Sequence, residues 1–99
     1  MKVKELLNSP EKYTQGAYAR DKDNKIVDYN SGNAVKWCLL GAIKLCYRFH
    51  NDYLMHESIR EKVFNYLDNV IHCNSIVRFN DDPSTSFEDI RKLIETLDI

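Results

Sequence analysis

Apolar side chains fall at helical spacing over most of the chain, and where that spacing lapses, turn-forming polar residues take over. Val3, Leu6 and Leu7 share one face of a short opening helix. Ser9-Pro10-Glu11 offers a second start, with a capping hydroxyl, a proline at the first helical position and an acid in the positive first turn. Little apolar material follows before Gly16, so this predicts a single turn. From Asn33 to Phe49 nearly every position is apolar, and charge is confined to a narrow stripe of Lys36, Lys44 and Arg48. A helix apolar on almost all sides is a buried one, so this segment is the expected central helix of the core. Gly41 within it costs about 1 kcal/mol relative to alanine, which points to another element packing closely there.

His56 to His72 reads as an amphipathic helix with Ile59, Val63, Tyr66, Leu67 and Val70 on its buried face. Its start is open between Asp52 and Glu57. Thr85-Ser86-Phe87-Glu88 fits a capping box before a last helix striped by Phe87, Ile90, Leu93, Ile94 and Leu97. Between these helices lies a minor β element. Ala17-Tyr18-Ala19-Arg20 and Lys25-Ile26-Val27-Asp28 flank the turn-prone Asp21-Lys22-Asp23-Asn24, which predicts a hairpin. Two strands alone are marginal in water, and Ser75 to Phe79, closed by Asp82-Pro83, is the expected third strand. The expectation is one α+β domain over residues 1–99, mainly helical. It has a central buried helix, two or three further helices, and a small β-hairpin or three-stranded antiparallel element.

Composition narrows the classes of function. The chain has 99 residues, 43% hydrophobic and 29% charged, with 3 Gly and 2 Pro, the profile of an ordered globular protein. Its 14 Lys+Arg against 15 Asp+Glu leave no basic excess for nucleic acid or anionic lipid. No apolar run approaches membrane-span length and no export signal opens the chain, so a cytoplasmic protein without a membrane partner is expected. The 3 cysteines, Cys38, Cys46 and Cys73, form an odd set without a C-x-x-C pair and read as reduced thiols. No cofactor is implied.

Cys38 is the first candidate for chemistry, since a thiol early in a buried helix can be activated by the helix dipole and a histidine. If Asn33 caps that helix, however, Cys38 lies beyond the first turn, and a small buried hydrophobe is the plainer reading. His50, His56 and His72 fit no zinc spacing, so no metal site is expected, and surface or helix-end positions suit them better. Asn80-Asp81-Asp82 could bind a cation or supply a base, but turn chemistry explains such a cluster more simply. Arg20-Asp21 is either a turn-flanking pair or an anion-binding arginine. Tyr13, Tyr18 and Tyr29 are expected to cover the central helix from the hairpin side.

The order of several blocks resembles a family of small uncharacterised bacterial and bacteriophage proteins, known only as a domain of unknown function. They are Tyr13-Thr14-Gln15-Gly16-Ala17-Tyr18-Ala19-Arg20-Asp21, Trp37-Cys38-Leu39-Leu40-Gly41-Ala42, and Phe79-Asn80-Asp81. They match W-T-Q-G-x-x-A-R-D, W-C-x-x-G-A and W-N-D patterns, with Tyr13 and Phe79 where the family carries tryptophan. The resemblance brings no activity or cofactor. It implies a role for Arg20, Asp21, Trp37, Cys38, Gly41, Asn80 and Asp81.

One arrangement would join them: an Arg20–Asp81 ion pair, with Asn80 bonded to turn backbone, locking the hairpin to the helices. The leading functional expectation is a non-enzymatic binding module, phage-associated or bacterial, that docks a protein partner or sequesters a small ligand. Its ligand-binding or structural residues are Arg20, Asp21, Trp37, Cys38, Asn80 and Asp81. The alternative is a thiol-dependent hydrolase or transferase with Cys38 as nucleophile, a histidine as base, and Asn80 or Asp81 as orienter. Nucleic-acid binding is the weakest reading, and a homodimer through leftover aromatic surface stays open.

Overall fold

A computed structural model of the chain describes residues 1–48 and 51–99. Its elements are α1 (Val3–Leu6), a single 3-10 turn (Pro10–Lys12), β1 (Ala19–Arg20), β2 (Ile26–Val27), β3 (Lys36–Trp37), α2 (Leu39–Ile43), α3 (Tyr53–Tyr66), α4 (Ile76–Asp81) and α5 (Phe87–Leu97). A π-helical stretch, Lys44–Arg48, continues α2, and another, Leu67–Ile71, continues α3. The fold is α+β and mainly helical, as the patterning predicts.

One-turn α1 cannot hold itself in water and depends on docking. Val3 and Leu7 are buried, and the Lys4 N–H donates to the Ile99 carbonyl at 3.1 Å, which ties the two ends of the chain together. Asp98 adds ion pairs to Lys2, at 3.1 Å, and Lys4, both exposed and therefore weak. The core lies between these ends and the long helices: Leu39, Ala42 and Ile43 of α2 meet Ile59 and Val63 of α3 and Ile90, Leu93 and Ile94 of α5.

β1 is the middle strand of an antiparallel sheet ordered β2-β1-β3, with Ala19 opposite both Val27 and Trp37. Asp21 builds the β1–β2 turn: its Oδ1 accepts from the N–H groups of Asp23 and Lys25, each at 2.9 Å. Asn24 closes the turn in the left-handed conformation, at φ 64°.

Several expectations are corrected. Ser75–Phe79 is not the third strand; Ser75 caps α4, its side chain accepting from the Arg78 N–H at 3.2 Å. Burial there falls on Phe79 and Asn80, with Val77 and Arg78 exposed, which is helical rather than alternating. The third strand is instead Lys36–Trp37, so the central helix begins at Leu39 and not near Asn33. The apolar run from Trp37 to Ile43 hides such a strand-to-helix border because periodicity cannot mark it. The capping box is formed by Ser86 with Asp89, one residue later than Thr85 with Glu88. Asp52 starts α3, accepting from the Met55 N–H at 3.2 Å. Val70 is exposed, since the wider π turn after Tyr66 rotates it off the buried face.

Candidate functional site

β1, α2 and α4 meet end to end, and the residues that join them surround a cavity. The joint begins with two close backbone contacts. The Cys38 N–H donates to the Tyr18 carbonyl at 3.1 Å, and Gly41 packs so tightly on Tyr18 that a Cβ there would stand 2.2 Å from the same oxygen. Only glycine allows α2 to approach the strand this closely.

Cys38 is the N-cap of α2, in extended backbone at φ −77° and ψ 171°, with its Sγ accepting from the Gly41 N–H at 3.2 Å. This corrects its expected placement beyond the first turn of a helix capped by Asn33. The thiol is buried, and burial pushes its pKa up against the lowering effect of the Gly41 and Leu40 N–H groups. Cys46 is buried on the same helical run, with its pKa pushed up to about 11 for the same reason. Among the described residues all three cysteines are unbridged.

Asn80, only 1% exposed, fastens α4 to this joint. Its Oδ1 accepts from the Leu39 N–H at 2.9 Å, satisfying one of the free donors at the start of α2. Its Nδ2 donates to the Thr14 carbonyl at 3.3 Å and to Asp81 Oδ1 at 2.9 Å. Asp81 Oδ1 also accepts from the Gly16 N–H at 2.9 Å. Asn80 is therefore bonded to backbone as expected, but the Arg20–Asp81 ion pair is not formed. The loop Thr14–Gly16 runs between them, and each serves it from its own side. Arg20 donates to Thr14 Oγ1 at 3.0 Å, to the Gln15 carbonyl at 3.2 Å and to the Asn24 carbonyl at 3.1 Å.

The other predicted residues have local work. Asp21 makes the hairpin turn, and Trp37 donates its indole N–H to the Tyr29 carbonyl at 2.9 Å. Tyr13 packs on the Phe87 ring with centroids 6.0 Å apart and donates its hydroxyl to the Asn80 carbonyl at 2.9 Å. Burial pushes its pKa up to about 12. Tyr18 does not cover the core; it is exposed, with Lys44 Nζ 5.5 Å from its ring centre.

Gln15 was not singled out by the sequence, although it lies in the first resemblance block. Its amide donates to the carbonyls of Asn80 at 2.8 Å, Asp82 at 3.0 Å and Thr85 at 3.3 Å, binding the end of α4 to the following loop.

His56 corrects the expectation of a surface histidine. It is 3% exposed, and in line with Ile59 and Val63 it occupies the buried face of α3. Its Nε2 has no partner among the described residues, Nδ1 lies 3.4 Å from Glu57, and burial pushes its pKa down. His72 ends the α3 continuation in the left-handed conformation, and His50 lies outside the described residues. Neither His56 nor His72 lines the cavity beside Cys38. Among the described residues no three His, Cys, Asp or Glu side chains gather as metal ligands, and no helix is long and apolar enough to cross a membrane.

The cavity itself measures about 340 Å3. Tyr18, Ile26, Leu40 and Val77 are its large apolar lining residues, and Gly16, Ala17, Cys38, Asn80 and Asp81 complete it. Leu40 and Val77 also line a second hollow that runs along Glu57, Arg60, Glu61 and Phe64 of α3. The model of a family of unknown function (DUF6197) matches residues 1–97. No curated protein and no solved structure matches the chain.

Proposed function

As the chain belongs to that family of unknown function, whose name assigns no chemistry, we propose from the geometry that the protein is a non-enzymatic binding module whose site is the β1–α2–α4 cavity. One observation carries this reading: Tyr18, Ile26 and Val77 are left exposed around a hollow where Gly16, Cys38, Asn80 and Asp81 are fixed by hydrogen bonds. Large apolar side chains converging on a formed concavity, with few polar groups among them, are what ligand sites use. The volume falls at the small end of the range for such sites, which suits one ring or one side chain rather than a large cofactor.

The thiol alternative is disfavoured by the same geometry. A nucleophile needs a populated thiolate and a base within reach. Cys38 has a raised pKa, its sulfur is engaged as a helix cap, and neither described histidine stands beside it. The resemblance to bacterial and phage proteins favours a cytosolic adaptor or inhibitor that captures a protein side chain or a small ligand.

A fragment screen followed by amide shifts in nitrogen-15 NMR spectra tests the reading. Hits are expected to move Gly16, Tyr18, Leu40 and Val77 together. Hits that move only other surfaces, or none at all, refute it. Rapid alkylation of native Cys38 below the free-thiol pKa of about 8.5 would restore the enzyme reading.

A further inference from the structure

We propose that the cavity selects an apolar ligand carrying a protonated amine, the ammonium being held by Asp81; this rests on the cavity being the binding site. Asp81 is the one acidic side chain among the lining residues. Its Oδ1 is filled by the Gly16 N–H and by Asn80 Nδ2, both at 2.9 Å. These two bonds orient the carboxylate and leave Oδ2 without a donor among the described residues.

No cation among the described residues pairs with it directly. Arg20 is committed to Thr14, Gln15 and Asn24, Lys44 stands over the Tyr18 ring, and among the described residues Asp81 makes no ion pair. An oriented carboxylate with one open oxygen, beside Tyr18, Ile26, Leu40 and Val77, matches a ligand with a short apolar body and a terminal N–H cation. A charged donor on a carboxylate makes a shorter and stronger hydrogen bond than a neutral one, so the charge should set the preference. A carboxylate ligand would meet Asp81 as a like charge and be rejected.

The same chemistry comes from a free aryl or alkyl amine, or from a lysine beside an apolar residue in a peptide. The test is an amide-shift titration of the whole protein at low salt with phenethylammonium, with neutral 2-phenylethanol, and with an acetylated, amidated Phe-Lys dipeptide. Phenethylammonium should bind about tenfold more tightly than the alcohol, and the Asp81→Asn variant should remove that advantage. The variant keeps an oxygen for Gly16 and Asn80, and an unchanged melting curve would show that the joint is intact. If the dipeptide outbinds the free amine, the source is a protein side chain; if it does not, the source is a small amine. Equal binding of amine and alcohol, or an Asp81→Asn variant that holds the amine as well as the parent, overturns the amine preference while leaving the cavity as a site. If none of the three probes moves the cavity amides, both readings fall.

Discussion

Replacing Gly41 by alanine sets two effects against each other, and the structure decides between them. By helix propensity alone the change should stabilise α2 by about 1 kcal/mol. The added Cβ, however, would lie 2.2 Å from the Tyr18 carbonyl oxygen, 2.9 Å from its carbon and 3.2 Å from its Cα. All three are backbone atoms of the segment leading into β1, so no side-chain rotation relieves them. Ordinary contact requires α2 to withdraw by roughly 1 Å. That movement stretches the Cys38-to-Tyr18 bond and loosens the joint that Asn80 closes. Overpacking of this kind costs about 1–3 kcal/mol, and a weakened buried hydrogen bond adds about 1. The expected net loss is ~2 kcal/mol, or roughly 10 °C in melting temperature for a domain of this size. Thermal unfolding by circular dichroism measures it, with Gly32→Ala as control, because a Cβ at Gly32 meets nothing within 4 Å. A Gly41→Ala protein as stable as the parent would refute the close approach.

Asn80→Ala leaves the Leu39 N–H buried without an acceptor and should cost about 3 kcal/mol in urea unfolding, whereas a loss below about 1 kcal/mol would mean that water or a neighbour takes over. Asn80→Asp keeps that acceptor but sets a second carboxylate against Asp81, so it should be destabilised at neutral pH and recover as pH falls toward 4. His56, its pKa lowered chiefly by burial and further by Arg60 and Lys44 against the opposing effect of Glu57, contributes stability that is complete above its unfolded pKa of about 6.5 and is lost as pH falls below it. The urea midpoint should therefore drop between pH 7.5 and 5, and an equal drop in a His56→Leu variant would assign the effect elsewhere. Tyr13 has the opposite sign: with its pKa pushed up to about 12, its contribution is complete below about 10 and is lost as pH rises toward 12. Tyr13→Phe should flatten that alkaline limb, which an unaltered limb would contradict.

The helices were legible because each carries a local signature that the tertiary structure leaves in place. The stripe of Ile90, Leu93 and Ile94 is buried as the pattern requires, and Asp21 and Asn24 make the turn that their side chains favour. What failed were borders inside apolar runs. From Val35 to Ala42 almost nothing polar interrupts the chain, so the change from β3 to α2 at Cys38 has no local mark, and a thiol that caps a helix was read as lying within it. Ile76 and Val77, both β-branched, suggested a strand where Ser75 caps a helix instead. His56, expected at the surface or a helix end, stands in register with Ile59 and Val63, which places it inside.

The joint was the least legible part, for a physical reason that also bears on what the site can recognise. Thr14, Gln15 and Gly16 act on groups more than sixty residues away: the Thr14 carbonyl accepts from the Asn80 amide, the Gln15 amide donates to the Asn80 carbonyl, and the Gly16 N–H donates to the Asp81 carboxylate. Such bonds have no periodicity and no short-range spacing, so nothing in the neighbouring sequence specifies them. Around the cavity the Asn80 carbonyl accepts from Tyr13 and Gln15, Asn80 Oδ1 accepts from Leu39 while its Nδ2 donates to Thr14, and the Cys38 sulfur accepts from Gly41. Groups bonded in this way cannot discriminate among ligands without breaking the fold. On the proposed reading of the cavity as a binding site, discrimination falls to the acceptor that the joint orients and leaves open, Asp81 Oδ2, so the same bonds that hold the three elements together would set what the cavity can choose.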